Sequence, residues 1–174
     1  DVWYPRDNPN PTPTLVYFHG GGWIFGSKEG AVYQILPYLE RGWRVVNVEY
    51  RMASNSLAPA AVEDTRCALR WIYRNAKQFN FDTSKIILTG HSAGGHLSLI
   101  TGMLPDKIPL DNRCFADEKY GDVKMKVAGI INWYGITDVN DLIQGANVKN
   151  YAVMWMGSLP NANEVARSVS PLNY

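Results

Sequence analysis

The pentapeptide Gly90-His91-Ser92-Ala93-Gly94 follows directly on the apolar run Ile86-Ile87-Leu88-Thr89. A strand that ends in G-x-S-x-G and turns at once into a helix holds its serine in a strained backbone conformation. The glycines two residues either side leave room for the bend, and the hydroxyl stands out at the top of a sheet. The pentapeptide alone also arises by chance, so a second, independent motif gives it weight. His19-Gly20-Gly21-Gly22-Trp23 follows another apolar stretch, Leu15-Val16-Tyr17-Phe18. Bare backbone N–H groups in such a glycine run can be aimed at a developing oxyanion. Two motifs, each in a strand-then-turn context, predict a serine hydrolase.

Strand and helix patterns alternate along the chain, which predicts an α/β domain with a mostly parallel sheet and helices on both faces. The proline-rich segment 8–13 reads as a loop, 15–18 as a strand, 31–41 as a helix stopping near Gly42, and 43–48 as a strand. From Pro59 to Phe79 the residues Val62, Thr65, Leu69, Ile72, Tyr73, Ala76 and Phe79 recur every three or four positions, predicting one long helix with a single apolar stripe. Asp82-Thr83-Ser84-Lys85 reads as a turn into the strand before Ser92, and 93–103 as a helix. Residues 112–124 read as a polar excursion, 127–133 as a buried strand and 161–167 as a short helix. If the strands at 43–48 and 86–89 flank opposite sides of the strand at 15–18, the winding reverses there. Ligand sites in open α/β sheets lie at such a reversal, beyond the carboxyl ends of the strands.

The chain's 174 residues suit a single domain spanning 1–174. With 17 Lys+Arg against 16 Asp+Glu and no run of like charge, nothing favours nucleic acid or an anionic membrane surface as a partner. No apolar run is long enough for a membrane span. The expected partner is a small-molecule ester, with no cofactor and no metal; oligomeric state is left open. Cys67 and Cys114 make neither a disulfide framework nor a zinc pattern. Cys67 reads as a small core residue and Cys114 as a loop residue, unbridged in preference to bridged. The compartment stays open between cytoplasm and an exported location, because a signal could precede Asp1.

Ser92 needs an imidazole to take its proton. The chain has three histidines, His19, His91 and His96. His91 adjoins the serine and is badly aimed, and His96 points along the following helix. His19 is best placed to fix the glycine loop by hydrogen bonding. None makes a convincing base, and no histidine follows His96. Asp138 and Asp141 read as cap or turn acids rather than a triad acid, and Asp64 as a structural hydrogen-bonding group. Trp23, Tyr50 and Trp133 are candidates for lining an acyl or alcohol pocket, although aromatic residues near strand ends are more often core.

These residues resemble the α/β-hydrolase superfamily and, within it, the hormone-sensitive-lipase-like carboxylesterases, including bacterial acetyl- and feruloyl-esterases that act on plant polysaccharides. The resemblance rests on His19-Gly20-Gly21-Gly22-Trp23, on Gly90-His91-Ser92-Ala93-Gly94-Gly95, and on Val48-Glu49-Tyr50-Arg51 with Pro59 and Asp64 between them. Tyr134-Gly135-Ile136-Thr137-Asp138 and Ser170-Pro171-Leu172 extend it, and kynurenine-formamidase-like amidases carry related motifs. It implies Ser92 as nucleophile and the N–H groups of Gly21, Gly22 and Ala93 as the oxyanion hole. The implied activity is hydrolysis of short-chain or carbohydrate-linked esters through an acyl-enzyme. It also implies a later acid and histidine that this sequence lacks, and further strands. The chain is therefore expected to be the central portion of such a fold, lacking the C-terminal strands and truncated at both ends. The rival expectations are a non-catalytic binding relative and an amidase or peptidase using the same machinery.

Overall fold

The apolar runs around Val16, Val46 and Leu88 become the centre of a five-stranded sheet ordered β1-β3-β2-β4-β5. The computed structural model describes residues 1–106, 108–114 and 123–174. The strands are β1 (Val2–Trp3), β2 (Thr12–Phe18), β3 (Arg44–Val48), β4 (Phe81–His91) and β5 (Gly129–Trp133). Leu15 pairs with Val45 on one side and with Ile87 on the other, both in parallel register. β1 runs antiparallel along the outer edge of β3. Because β3 and β4 flank opposite sides of β2, the winding reverses there as expected, opening a crevice at the strands' carboxyl ends.

Alternation along the strands sends residues to two packed layers. Leu15, Tyr17 and Val45 meet Ala31 and Ile35 at α1 (Val32–Leu39). Val16, Phe18, Val46 and Leu88 share a core with Leu69 and Ile72 of α2 (Ala60–Arg74) and Leu97 and Ile100 of α4 (Ala93–Met103). Both sheet faces therefore carry helices. Among the described residues, no strand follows Trp133.

Local departures from the sequence expectation have identifiable causes. Thr12 and Pro13 join β2, with a register shift between Thr12 and Thr14 where proline has no N–H to give the ladder. Pairing jumps from Thr12–Phe81 to Thr14–Ile86, so residues 82–85 bulge within β4 instead of preceding it. Asp82 shapes that bulge by accepting from the Ser84 backbone N–H at 3.0 Å and from its hydroxyl at 2.6 Å. The long helix expected to reach Phe79 stops at Arg74, and a separate turn, α3 (Ala76–Phe79), follows. The Asn75 side-chain amide donates to the Trp71 carbonyl at 2.8 Å, giving the backbone a local alternative to continued helix.

Cys67 and Cys114 are bridged, which corrects the expectation of two free thiols. A short 3-10 turn over Pro109–Arg113 brings Cys114 back against α2. Asp111 in that turn accepts from Arg66 at both carboxylate oxygens, 2.9 and 2.8 Å, with Arg70 3.2 Å away. Arg66 also donates to the carbonyls of Thr101, Leu104 and Pro105 at the end of α4. Burial alone would raise the Asp111 carboxyl, but the Arg66 hydrogen bonds and the charges of Arg66 and Arg70 hold it below the ordinary carboxylate range. Residues 115–122 of the expected polar excursion lie outside the described residues.

After β5 come α5 (Val139–Ile143), α6 (Asn150–Met156) and α7 (Ala162–Ser168). Of the three, only the last corresponds to a helix expected from the sequence, at 161–167. The other two nonetheless contribute Val139, Ala152 and Trp155 to the core beside α4. Among the described residues, no helix is long and apolar enough to cross a membrane.

Candidate active site

Ser92 joins β4 to α4 with φ 54° and ψ −120°, a left-handed backbone conformation that a residue with a Cβ adopts only under strain. Its N–H is secured by the Trp133 carbonyl of β5 at 2.9 Å, and its carbonyl accepts the first helical hydrogen bond from His96 N–H at 3.0 Å. Gly94 makes this sharp junction compatible with the neighbouring strand: a Cβ there would overlap the Phe18 carbonyl. The elbow expected from the pentapeptide is thus a strand-turn-helix junction with a half-buried serine at its apex.

The glycine run leaves the carboxyl end of the adjacent strand β2. Gly21 has φ +122°, and a Cβ there would collide with the Phe25 carbonyl, so only glycine fits. Ile24 and Phe25 both donate to the Gly21 carbonyl at 3.1 Å, closing the loop on itself. The N–H groups of Gly21, Gly22 and Ala93 meet no backbone acceptor among the described residues. Ala93 opens α4, where the first N–H groups of any helix lack an intrahelical partner.

Side chains fasten this loop from behind. His19 is buried, with Nδ1 2.8 Å from the Gly20 carbonyl and Nε2 3.3 Å from Glu49 Oε1. Its ring stacks on Tyr50 at 4.3 Å, and the Tyr50 hydroxyl donates to the His19 carbonyl at 2.8 Å. Burial pushes the Tyr50 phenol well above its ordinary value, so it remains a donor. Glu49 Oε2 accepts from the Lys28 N–H at 2.8 Å. His19 therefore has the loop-fixing contacts expected of it.

A cleft of about 480 Å³ brings Gly21, Gly22 and Ser92 together with Phe25, His91 and Tyr151. Two of the three residues expected to line a substrate pocket, Trp23 and Tyr50, are 0% and 3% exposed and belong to the packed layer behind the loop. The cleft's aromatic walls are instead Phe25, 65% exposed, and Tyr151, which a Cβ on Gly22 would touch. Phe25 lies within the glycine loop and was accessible to sequence reasoning; Tyr151 sits on α6, which was not. Trp133 lines a separate groove of about 550 Å³ on the α1 face, with Tyr17, Pro37, Tyr38, Thr89 and Tyr134. That groove shares Gln34 and His91 with the cleft, whereas Ser92 lines the cleft.

The remaining histidines and the candidate acids have structural partners. His91 Nδ1 lies 2.8 Å from the Tyr17 hydroxyl, and burial, assisted by the charge of His19, lowers its pKa. His96 is completely buried, which lowers its pKa to about 4 despite a hydrogen bond to the Val169 carbonyl. Asp138 caps α5 by accepting from the N–H groups of Asn140 and Asp141. Asp141 accepts from the Asn147 amide, and Asp64 from the Arg51 backbone and guanidinium. Among the described residues, no cluster of three or more His, Cys, Asp or Glu is placed to hold a metal ion.

Known proteins share this architecture. Esterase LipC of Mycobacterium tuberculosis is 36% identical over 105 residues, covering 59% of this chain and 26% of its own. The probable carboxylic ester hydrolase LipM of the same organism is 30% identical over 145 residues, covering 82% of this chain and 32% of its own. The chain thus spans about a third or less of these relatives' length. The butyrate-bound structure of Thermogutta terrifontis esterase 2 superposes with a TM-score of 0.76 at 25% identity, covering 99% of this chain and 60% of that one. The fold is that of the α/β-hydrolase esterases. With a BD-FAE sequence model matching residues 1–174, from one end to the other, the chain belongs to the BD-FAE family.

Proposed function

We propose that this chain carries the nucleophile and oxyanion hole of a serine carboxylic ester hydrolase acting on short-chain esters. The observation that carries the proposal is the cleft that Ser92, in its strained elbow, lines together with Gly21 and Gly22 of the neighbouring loop. Ser92 Oγ attacks the ester carbonyl carbon, and its proton passes to a base. The carbonyl oxygen gains the negative charge and sits against the N–H groups of Gly21, Gly22 and Ala93. Collapse of the tetrahedral intermediate breaks the bond to the alcohol, which leaves with a proton. Water then attacks the acyl-serine, releasing the acid and restoring the hydroxyl. The esterase relatives and the butyrate-bound neighbour support ester chemistry and a short acyl group.

The base is not assigned to His19 or His96, whose ring nitrogens both have other partners, nor to His91, which holds Tyr17. The chain's own contribution is the preorganised pair of nucleophile and donors. Removing a single oxyanion donor typically slows such reactions by about 100- to 1000-fold. The test is hydrolysis of 4-nitrophenyl butyrate, beside the matching anilide, by the natural full-length protein and its Ser92→Ala variant. Ester turnover abolished by the substitution is expected, with little anilide cleavage. Unchanged turnover in Ser92→Ala would overturn the proposal, and preferential anilide cleavage would make the enzyme an amidase.

A further inference from the structure

His96 is one helical turn beyond Ser92, and its buried ring has a hydrogen-bond partner at each nitrogen that the elbow itself does not require. Its backbone N–H donates to the Ser92 carbonyl at 3.0 Å. Its ring Nδ1 lies 3.2 Å from Trp23 Nε1, and its Nε2 lies 2.7 Å from the Val169 carbonyl. An indole N–H can only donate, so Nδ1 is the acceptor and Nε2 carries the proton. The ring is therefore neutral, in one tautomer, with both nitrogens satisfied. Trp23 follows directly on Gly22, has φ 61°, and is fully buried. It stacks on Trp155 at 4.2 Å and meets the His96 ring edge-on at 5.0 Å. One residue thus grips the nucleophile elbow through its backbone and the glycine loop through its side chain.

We infer that His96 is a positioning residue that, through Trp23, sets the Gly21 and Gly22 N–H donors at a fixed distance from Ser92. The inference rests on the ester-hydrolase function proposed above. A loop of three successive glycines has little stiffness of its own, because glycine loses the most conformational freedom on ordering. The Trp23 hydrogen bond, with stacking on Trp155, supplies an external anchor immediately after the last glycine. Catalytic geometry is sensitive at this scale: a misplacement of about 1 Å can cost about 100-fold in rate.

The experiment compares kcat and KM for 4-nitrophenyl butyrate in the natural full-length protein and four variants, each assayed well below its own melting temperature. Trp23→Phe keeps the stacked ring and removes the donor. His96→Leu removes the acceptor, His96→Asn retains an acceptor near the Nδ1 position, and Ser92→Ala is the control. The expected result is a loss of about 10- to 100-fold in kcat for Trp23→Phe and His96→Leu, with KM nearly unchanged, and substantial recovery in His96→Asn. Wild-type kcat in Trp23→Phe, with Ser92→Ala inactive, would overturn the positioning role and leave the hydrolase function standing. Full activity in Ser92→Ala would overturn both. A KM rise matching the loss would make the pair a substrate contact, and His96→Asn falling as far as His96→Leu would reduce it to packing; either result contradicts the inference. If His96→Leu fails to fold, Trp23→Phe against Ser92→Ala decides.

Discussion

Gly94 lies so close beneath Phe18 that an added Cβ would overlap the Phe18 carbonyl. Phe18 is the last residue of β2 and Gly94 the second residue of α4, so this backbone contact joins the start of the glycine loop to the start of the nucleophile helix. Neither partner can retreat easily: Phe18 is fixed in the ladder by Val48 and Gly90 on either side. Gly94→Ala is predicted to destabilise the fold by about 1–3 kcal/mol, the usual cost of overpacking, and to lower activity further by pushing the elbow away from the loop. Urea denaturation alongside ester turnover measures both effects. Wild-type stability would mean that the two elements are looser than described.

The Cys67–Cys114 bridge closes a sequence separation of 47 residues and secures the turn containing Asp111. Its removal, by Cys67→Ser with Cys114→Ser or by reduction, is predicted to cost about 2–4 kcal/mol. Thermal unfolding with and without reductant measures this. An unchanged midpoint would show that the bridge adds nothing to Arg66 and Arg70 in holding the turn.

Arg66 and Asp111 are 1% and 4% exposed at their side chains, and Asp111 accepts through both oxygens. Asp111→Ala leaves the Arg66 guanidinium buried without its counter-ion, and a loss of about 3–5 kcal/mol is predicted. Denaturant titration of the variant provides the check; a cost below that of an ordinary surface substitution would contradict it.

Acid sensitivity should begin with His96. Its pKa falls from an ordinary 6.5 to about 4 in the fold, so the unfolded chain binds the extra proton first. Stability is then complete above pH 6.5 and falls as the pH drops towards 4, by about 3 kcal/mol at roughly 1.4 kcal/mol per pKa unit. His91, also lowered, adds in the same direction, whereas Asp111 acts only in the lower carboxylate range. Denaturation midpoints between pH 7 and 4 should decline, and more shallowly in His96→Asn. An equal slope in both proteins would remove His96 as the source.

The parts of the site that the sequence reveals are those with a local geometric requirement. Ser92 needs a strand before it and a helix after it, and Gly21 needs a positive φ; both demands appear as short patterns. The winding reversal at β2 is only a conditional expectation from the order of the apolar runs around Val16, Val46 and Leu88, and the strand order β1-β3-β2-β4-β5 meets its condition. Features that depend on distant partners are not legible. Nothing local brings Cys114 to Cys67, pairs Trp23 with His96, or places Tyr151 against Gly22, because each contact spans many residues and several elements. Asn75 and residues 82–85 mislead for a different reason: side-chain hydrogen bonds there redirect a backbone whose hydrophobic pattern gives no warning.

The most direct test is a crystal structure of the natural full-length protein after reaction with diethyl 4-nitrophenyl phosphate, which loses nitrophenolate as it phosphorylates an activated serine. A phosphoryl group on Ser92, with its P=O oxygen about 2.7–3.1 Å from the N–H groups of Gly21, Gly22 and Ala93, is the predicted result. An adduct on another residue, or a phosphoryl oxygen on Ser92 pointing away from all three amides, would contradict the account.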